Sequence, residues 1–226
     1  MLFAAGFGTR MGALTRDQPK PMIRVAGQTL LDHALALADD AGISRLVVNV
    51  HYLGDQIAAH LDGRDVAISW EKDRILDTGG GLRQALPLLG PGPVMTLNTD
   101  AVWAGPNPLR ALCDAWDDTK MDALLLLAPK SRAVGHAGNG DFTLDGSGRI
   151  ARAAGAEGLV YLGAQILQPG VLASYAQEAF SVNAVWDQMI DAKRAFGRVY
   201  DGAWCDVGRP DGIGLAEALL AGAVRV

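Results

Sequence analysis

The feature that most constrains this chain is its first 21 residues, MLFAAGFGTRMGALTRDQPKP. The apolar start predicts a buried strand, Gly6 and Gly8 predict a turn directly after it, and Arg10 and Lys20 add two cations. Backbone N–H groups of a glycine-rich loop bind phosphate oxygens, and guanidinium and ammonium groups strengthen that binding. The segment therefore predicts a strand that ends in a loop suited to the triphosphate of a nucleotide.

This loop differs from two common nucleotide-binding loops. The dinucleotide fingerprint G-x-G-x-x-G needs glycine where Met11 stands, and no acidic residue closes a second strand about 20 residues further on. The P-loop pattern G-x4-G-K-[ST] does not occur in the sequence. A Rossmann-type dehydrogenase is therefore disfavoured. A plain turn with a solvated Lys20 stays open as the alternative.

Composition excludes several classes of function. Net charge is −5 and the pI is about 5.3, so a basic face for nucleic acid is not expected. No apolar run reaches the roughly 18 residues that span a bilayer, and the N-terminus lacks the pattern of a signal peptide. We therefore expect a cytoplasmic protein with no membrane partner. Cys113 and Cys205 are far apart and are expected to be free thiols.

Apolar periodicity predicts a chain of alternating strands and helices. The strands are expected over residues 1–5, 44–51, 66–70, 93–97, 122–128, 159–167 and 198–200, and the helices over 29–41, 53–61, 82–89, 107–116, 182–196 and 211–220. This alternation indicates an α/β fold, with a Rossmann-like mixed, mostly parallel sheet and helices on both faces. Because Met1 already lies inside the first strand, that strand is short or the natural start lies upstream.

One domain over residues 1–226 is expected, with residues 1–130 mainly nucleotide-binding. Glycine and polar residues dominate the segment 133–158, which predicts hairpins that cover a site or form a small β-rich part. Gly163 stands in the middle of a predicted strand, where glycine often marks the close approach of a ligand, and packing against a neighbour is the alternative.

Two aspartates stand where a metal ion would be held. Asp100 follows the strand 93–97 through Asn98, and carboxylates at the carboxyl ends of strands are common ligand groups in open α/β sheets. Asp206 lies between apolar neighbours just before a glycine turn, so it needs a partner or a metal if it is buried. Mg²⁺ takes carboxylate oxygens and keeps phosphate and water ligands. A turn-forming or helix-capping role stays open for Asp100.

The glycine run Gly79–Gly81 precedes the predicted helix over 82–89. Three glycines at a helix start cost backbone entropy, so another backbone or a flat ligand such as a nucleobase is expected to approach them closely. A flexible surface loop is the alternative.

Three motifs in sequence resemble those of the sugar-1-phosphate nucleotidyltransferases, the nucleotidyl transferase family. The first is AAGFGTRMGALT…PKP over residues 4–21, where the family has A-A-G-x-G-[T/E]-R-[M/L]-x-P-L-T…P-K-P. The second is Asn98-Thr99-Asp100 for N-G-D, and the third is WCDVG over residues 204–208 for W-x-D-[V/I]-G. The resemblance covers nearly the whole chain, and its first motif is highly specific.

The resemblance implies transfer of a nucleotidyl group from an NTP to a sugar 1-phosphate, with release of pyrophosphate. Arg10 and Lys20 would be the catalytic cations on the triphosphate, and Asp100 and Asp206 would bind Mg²⁺. Such chemistry needs positioning and charge neutralisation rather than a nucleophilic side chain. The residues that the resemblance assigns to the nucleotide are Ala4, Ala5, Gly6, Gly8, Thr9, Arg10, Lys20, Thr78 and Gly80, and those assigned to the sugar are Asn98, Asp141 and Gly163.

The run Asp77–Gly81 is similar to the E-T-G-G-G of N-acetylmuramate-1-phosphate uridylyltransferases, enzymes of cell-wall (peptidoglycan) recycling, and the segment 138–142 resembles their G-x-G-D-F. UTP and N-acetylmuramate 1-phosphate are therefore the expected partners of a monomer or small homo-oligomer. A mannose-1-phosphate guanylyltransferase, a glucose-1-phosphate thymidylyl- or uridylyltransferase, and a non-catalytic nucleotide-sugar binding protein remain alternatives. Thr99 replaces the usual glycine, and Lys130 is the candidate for the sugar-phosphate lysine that many members of the family carry.

Overall fold

The computed structural model describes residues 1–222. Its helices are α1 (Leu30–Asp40), α2 (Gly54–His60), α3 (Asp77–Leu89), α4 (Pro108–Ala115), α5 (Val182–Asp191) and α6 (Asp211–Leu220), and short 3₁₀ turns cover Thr9–Thr15, Lys20–Met22, Lys130–Arg132 and Pro169–Ser174. Its strands are β1 (Leu2–Phe3), β2 (Arg24–Val25), β3 (Gln28–Thr29), β4 (Leu46–Val50), β5 (Val66–Trp70), β6 (Val94–Asn98), β7 (Ala101–Ala104), β8 (Ala123–Pro129), β9 (Ala133–Val134), β10 (Phe142–Leu144), β11 (Ile150–Arg152), β12 (Leu159–Leu167), β13 (Ala195–Val199) and β14 (Ala203–Asp206).

A mixed sheet forms the centre of the molecule. Its main body has the order β5-β4-β1-β6-β12-β8-β13, in which β12 runs antiparallel to both of its neighbours and the other pairs are parallel. The hairpin β10–β11 extends the sheet from the start of β12. The predicted mixed, mostly parallel sheet is therefore confirmed.

Helices cover both faces of this sheet. Val47 and Val48 are adjacent in β4, so their side chains point to opposite faces, and each belongs to a different buried cluster. Leu35 of α1 and Leu112 of α4 pack in the cluster of Val48, whereas α3 and α5 pack in that of Val47. The β-branched and leucine-rich strands are apolar on both sides because both sides are covered.

A second, smaller sheet contains three strands, one of which is β14 near the C-terminal end of the chain. Its order is β7-β14-β9, with β14 antiparallel to β7 and parallel to β9. The short hairpin β2–β3 lies beside it, and α6 packs on β2, β7 and β14. None of the helices in residues 1–222 is long and apolar enough to cross a membrane.

The predicted helix over 182–196 is wrong in its last turn. The helix α5 ends at Asp191, and Lys193 takes a φ of 59°, which breaks the helix. Residues Ala195–Val199 then pair with β8 in parallel, so the apolar pair Ala195–Phe196 fills a strand instead of a helix face. Conversely, α3 begins at Asp77, five residues before the predicted start, and contains all three glycines of the run.

The strand β12 contains a β-bulge. The pairing of β12 with β8 shifts register between Tyr161 and Gln165, and Gly163 between them has a φ of 83°. A Cβ on Gly163 would lie 2.9 Å from the side chain of Asn98 at the end of β6. Glycine is therefore required here both by the backbone conformation and by the close approach of Asn98.

Candidate active site

A cleft with two joined parts lies at the carboxyl ends of β1, β4 and β6. The first part has a volume of about 360 Å³ and the second about 410 Å³. The two parts share the wall residues Phe3, Arg10, Asp77, Thr78, Asn98 and Asp100. A ligand of two moieties, with its reacting group at the shared wall, fits this shape.

The N-terminal segment forms one wall of the first part. Predicted nucleotide residues on this wall are Ala4, Ala5, Gly6, Gly8, Thr9, Arg10 and Lys20. Gly8 has a φ of 64°, and a Cβ there would lie 2.8 Å from Lys20 Cβ, so glycine at this position lets the lysine stem cross the loop. The two ends of the 21-residue motif therefore meet in one wall.

Lys20 and Asp100 form an ion pair at the bottom of the cleft. Lys20 Nζ donates to Asp100 Oδ2 at 2.9 Å, and the lysine side chain is 11% exposed while that of Asp100 is 33% exposed. The ion pair therefore holds the ammonium group in the cleft even when no ligand is bound. Both residues line the cleft, so the ammonium group can still contact an incoming anion and the carboxylate an incoming cation.

The register of the small sheet brings Asp206 beside Asp100. Asp206 pairs with Ala101 in the ladder between β14 and β7, and the N–H of Val207 donates to the carbonyl of Asp100 at 2.8 Å. Burial of Asp206, followed by the charge of Asp100, raises the pKa of its carboxyl above the usual value, although Lys20, Arg10 and His136 act in the opposite direction. Two carboxylates that are far apart in sequence thus share one site.

This donor set fits Mg²⁺. The ion takes one or two protein carboxylates and completes its shell with water and phosphate oxygens. A cation between Asp100 and Asp206 would offset the two effects that raise the pKa of Asp206, its burial and the nearby charge of Asp100. Within residues 1–222 no group of three or more His, Cys, Asp or Glu side chains is arranged for a metal, so phosphate oxygens would have to supply further ligands.

A buried polar network in the wall of the first part was not predicted from the sequence, and its residues Asn49 and Glu71 both line the cleft. Asn49, near the end of β4, accepts from the N–H of Ala4 at 2.9 Å and donates to Glu71 at 2.7 Å. The other oxygen of Glu71 accepts from the N–H of Leu76 at 2.7 Å, and Glu71 is only 2% exposed. The network ties the N-terminal loop to the start of α3. Because it uses the N–H of Ala4, that group is already occupied by the protein.

Gly80 lies outside the cleft, unlike Thr78, which lines both parts. The N–H of Gly80 donates to the carbonyl of Phe180, and a Cβ on Gly80 would lie 2.3 Å from the carbonyl oxygen of Glu178. The glycine run therefore serves the close packing of α3 against another backbone segment, one of the two reasons expected for it. The expected contact of Gly80 with a base is not supported by its position.

The second part of the cleft contains the residues predicted for the sugar. Asn98, Asp141 and Gly163 all line it, together with Asp206. Asp141 Oδ2 accepts from the N–H of Tyr161 at 2.8 Å, which fixes the carboxylate across the bulge of β12. Lys130 bonds Asn139 at 3.1 Å instead and is not part of the lining.

Three further side chains of this part were missed by the sequence reasoning. His136, Arg152 and Gln165 line it, and buried nitrogens of His136 (Nε2) and Gln165 (Nε2) have no hydrogen-bond partner in residues 1–222. Arg152 reaches the cleft because β11 pairs with β10, where Arg152 lies opposite Phe142. The nearest sequence signal was the resemblance of 138–142 to G-x-G-D-F, which marked the neighbourhood but none of these residues.

A family model and two curated relatives match this chain over most of its length. The family model described as the MobA-like NTP transferase domain matches residues 1–180. An N-acetylmuramate alpha-1-phosphate uridylyltransferase of Caulobacter vibrioides is 40% identical, over 98% of this chain and 96% of the relative. A protein of the same description from Neisseria meningitidis serogroup B is 33% identical, over 99% and 98% of the two chains.

Solved structures show the same fold at low sequence identity. HddC from Yersinia pseudotuberculosis, complexed with GMP-PN, has a TM-score of 0.76 and 20% identity and covers 97% of each chain. A putative glucose-1-phosphate thymidylyltransferase from Bacillus anthracis has a TM-score of 0.80 and 14% identity, over 100% and 95% of the two chains. The family match and the two relatives show that the chain belongs to the MobA-like NTP transferase family and is a nucleotidyltransferase of the sugar-1-phosphate class.

Proposed function

We propose that this enzyme transfers the uridylyl group of UTP to N-acetylmuramate 1-phosphate, with Mg²⁺, and releases pyrophosphate. The observation that carries the proposal is the meeting of Arg10, Lys20, Asp100 and Asp206 at one cleft with two parts. One part then takes the nucleotide and the other the sugar, with the phosphates between them.

The reaction needs one in-line displacement. A phosphate oxygen of the sugar 1-phosphate attacks the α-phosphorus of UTP, a new P–O bond forms, and the bond from the α-phosphorus to the bridging oxygen breaks, so that pyrophosphate leaves with that electron pair. Arg10 and Lys20 bind the triphosphate and stabilise the charge that grows on pyrophosphate. Asp100 and Asp206 are the residues that would hold Mg²⁺, which when bound neutralises phosphate charge and orients the two substrates.

The ion pair with Asp100 orders the Lys20 side chain in the cleft before the substrate binds. Because Asp100 holds the ammonium group in the cleft, little side-chain ordering remains to be done when the triphosphate binds. The raised pKa of Asp206 supports a cation site here, because burial and then the charge of Asp100 disfavour its ionised form, and a bound cation would offset both.

Two observations support the choice of uridine and of the muramate sugar. The run Asp77–Gly81 resembles the corresponding run of uridylyltransferases for N-acetylmuramate 1-phosphate, and Asp77 and Thr78 line both parts of the cleft. The two relatives described above carry that activity in their names and align over almost the whole chain.

The test is a matrix of nucleotides against sugar phosphates. UTP, GTP, dTTP and ATP are each combined with the 1-phosphates of N-acetylmuramate, N-acetylglucosamine, glucose and mannose, and pyrophosphate release is measured with and without Mg²⁺. We expect the highest kcat/KM for UTP with N-acetylmuramate 1-phosphate, and a UDP-sugar of the matching mass as product.

Each other outcome would change the proposal in a defined way. Highest turnover with GTP and mannose 1-phosphate, or with dTTP and glucose 1-phosphate, would replace the substrates but keep the reaction. Binding of UTP without turnover of any sugar phosphate would instead indicate a nucleotide-sugar binding protein. Full turnover in the presence of a chelator would remove the metal from the proposal.

A further inference from the structure

Among the lysines and arginines of residues 1–222, Arg152 lines the second part of the cleft and not the first. Its side chain is 33% exposed, and it lies on the β10–β11 hairpin next to the predicted sugar residue Asp141. Arg10 also lines the second part, but it lines the first part as well and is therefore shared with the triphosphate. Asp187 offsets part of the charge of Arg152 through a 2.8 Å ion pair, yet a neutral sugar would need no guanidinium group at this place.

The guanidinium of Arg152 is held rigidly by the protein. Its Nε donates to Asp187 at 2.8 Å, and its two terminal nitrogens donate to the side chain and the carbonyl of Asn183 at 3.0 and 2.9 Å. The group also lies 4.8 Å from the ring centre of Phe142. Three of the five N–H groups of an arginine are used in this way, so two remain without an acceptor in residues 1–222.

Gln165 supplies a second, independent donor in the same part of the cleft. The indole N–H of Trp186 donates to Gln165 Oε1 at 2.7 Å, and because an indole nitrogen can only donate, this bond fixes the orientation of the amide. Gln165 lines the second part and is only 1% exposed, and its buried Nε2 has no hydrogen-bond partner among residues 1–222. A buried amide without an acceptor is costly, so a ligand oxygen is expected there.

We propose that Arg152 recognises a carboxylate on the sugar phosphate, with Gln165 Nε2 as a further donor to the same ligand, and that this pair selects acidic over neutral sugar 1-phosphates. N-acetylmuramate differs from N-acetylglucosamine by the lactyl ether at O3, which ends in such a carboxylate. Arginine is suited to the task because its planar fork binds a carboxylate through charge and paired hydrogen bonds. The inference rests on the proposed sugar-phosphate activity and assigns its specificity to named residues.

A purely structural role for Arg152 is the competing explanation, because it bridges β11 to α5. Arg149 offers a matched control on the same hairpin. Its guanidinium lies 5.4 Å from the ring centre of Phe196 and donates to the carbonyl of Lys193, yet it does not line the cleft. Loss of Arg149 therefore removes similar bridging contacts without removing a donor from the site.

The experiment compares kcat/KM of the purified enzyme for the 1-phosphates of N-acetylmuramate and N-acetylglucosamine with UTP and Mg²⁺. The variants are Arg152→Gln, Arg152→Lys and Arg149→Gln. Loss of hydrogen bonds to a charged group predicts that Arg152→Gln lowers the ratio of kcat/KM for the acidic substrate to kcat/KM for the neutral one by about 10- to 100-fold. Arg152→Lys is expected to recover part of the preference because it keeps the charge, and Arg149→Gln is expected to keep all of it.

The outcomes separate this inference from the proposed function. An equal fall for both sugars in Arg152→Gln, or the same loss of preference in Arg149→Gln, would overturn the specificity role. If wild-type enzyme turned over neither sugar phosphate, the proposed function would fail at an earlier step. If Arg152→Gln did not fold, the smaller change Gln165→Met would still have to lower the ratio of acidic to neutral kcat/KM, and an unchanged ratio would overturn the inference.

Discussion

Lys20 Nζ lies 2.9 Å from Asp100 Oδ2, so the cation expected on the triphosphate and the carboxylate expected on the metal form one ion pair. Each group holds the other inside the cleft, where the lysine side chain is only 11% exposed. Arrival of Mg²⁺ and a triphosphate together would supply each member with a new partner of opposite charge. The pair therefore links the two halves of the charge-neutralising machinery before substrates bind.

Replacing Lys20 by methionine removes the ammonium group and keeps most of the stem. We expect kcat/KM for the NTP to fall by about 100-fold or more, because a preorganised positive group on the leaving pyrophosphate is lost. Pyrophosphate release measures the effect. Lys120→Met is the matched control, since Lys120 forms a 3.0 Å ion pair with Asp117 on the surface and does not line the cleft. Equal activity of the two variants would contradict the role of Lys20.

The two aspartates are expected to share a loss of activity but to differ in their effect on stability. In Asp206→Asn, removal of a buried charge whose pKa is raised should leave the free energy of unfolding near pH 7 unchanged or higher, because the folded state disfavours that charge. In Asp100→Asn, the free energy of unfolding should fall, because Lys20 loses its ionic partner in the cleft.

Mg²⁺-dependent pyrophosphate release should be abolished in both aspartate variants, and urea unfolding measures their stability. Asp201→Asn is the control, because Asp201 is exposed and outside the cleft. Retention of full activity by both variants would remove the metal assignment. A larger stability loss in Asp206→Asn than in Asp100→Asn would show that the charge balance differs from the one described above.

The fold and one half of the site could be predicted because their signals are local in sequence. The glycine loop with Arg10 and Lys20 is one continuous motif, Asp100 follows β6 in the turn before β7, and Asp206 ends β14. The sequence around Asn49, by contrast, did not indicate a functional residue. Its role depends on the parallel pairing of β1 and β4, which places the backbone nitrogen of Ala4 2.9 Å from Asn49 Oδ1.

Arg152 and Gln165 in the second part of the cleft could not be predicted for the same reason. Arg152 enters it through the register of a hairpin, and Gln165 through a bulge that shifts β12. The end of α5 was missed because Ala195 and Phe196 continue the apolar pattern of the helix, while pairing with β8 decides the outcome. Strand pairing between distant parts of the chain determines each of these positions. Residue propensity and apolar spacing are local properties and therefore do not predict them.

Gly80 provides a test of why the glycine run is there. A Cβ on Gly80 would lie 2.3 Å from the backbone oxygen of Glu178, which cannot move aside without displacing its segment. We expect Gly80→Ala to lower the free energy of unfolding by about 1–3 kcal/mol, despite the better helix propensity of alanine. Gly214→Ala in α6 is the control, because no atom lies within 4 Å of the added Cβ.

The control should change in the opposite direction. Gly214→Ala is expected to raise the free energy of unfolding by up to about 1 kcal/mol, because alanine gains helix propensity without a clash. Urea denaturation of the two variants and the wild type measures both. If both alanines stabilised the protein, the glycine run would not be a packing requirement, and a ligand contact would again become its best explanation.

Asp32 at the start of α1 predicts a pH-dependent contribution to stability. Partial burial acts to raise the pKa of its carboxyl, but hydrogen bonds from Thr29 and His60, with the charges of His60 and Arg64, outweigh this and hold the pKa below its usual value. A lowered folded-state pKa stabilises the protein above the unfolded-state pKa, which is about 3.9 for aspartate, and this stabilisation is lost as the pH falls through the folded-state value.

We therefore expect Asp32→Asn to lower the free energy of unfolding at pH 6, and the difference from wild type to shrink as the pH falls below about 4. Urea unfolding at a series of pH values between about 6 and 2.5 measures the difference. Asp39→Asn in the same helix is the control, because Asp39 is exposed and its carboxylate has no hydrogen bond within residues 1–222. A difference that stayed constant, or grew, as the solution became more acidic would contradict the stabilising role of the Asp32 carboxylate.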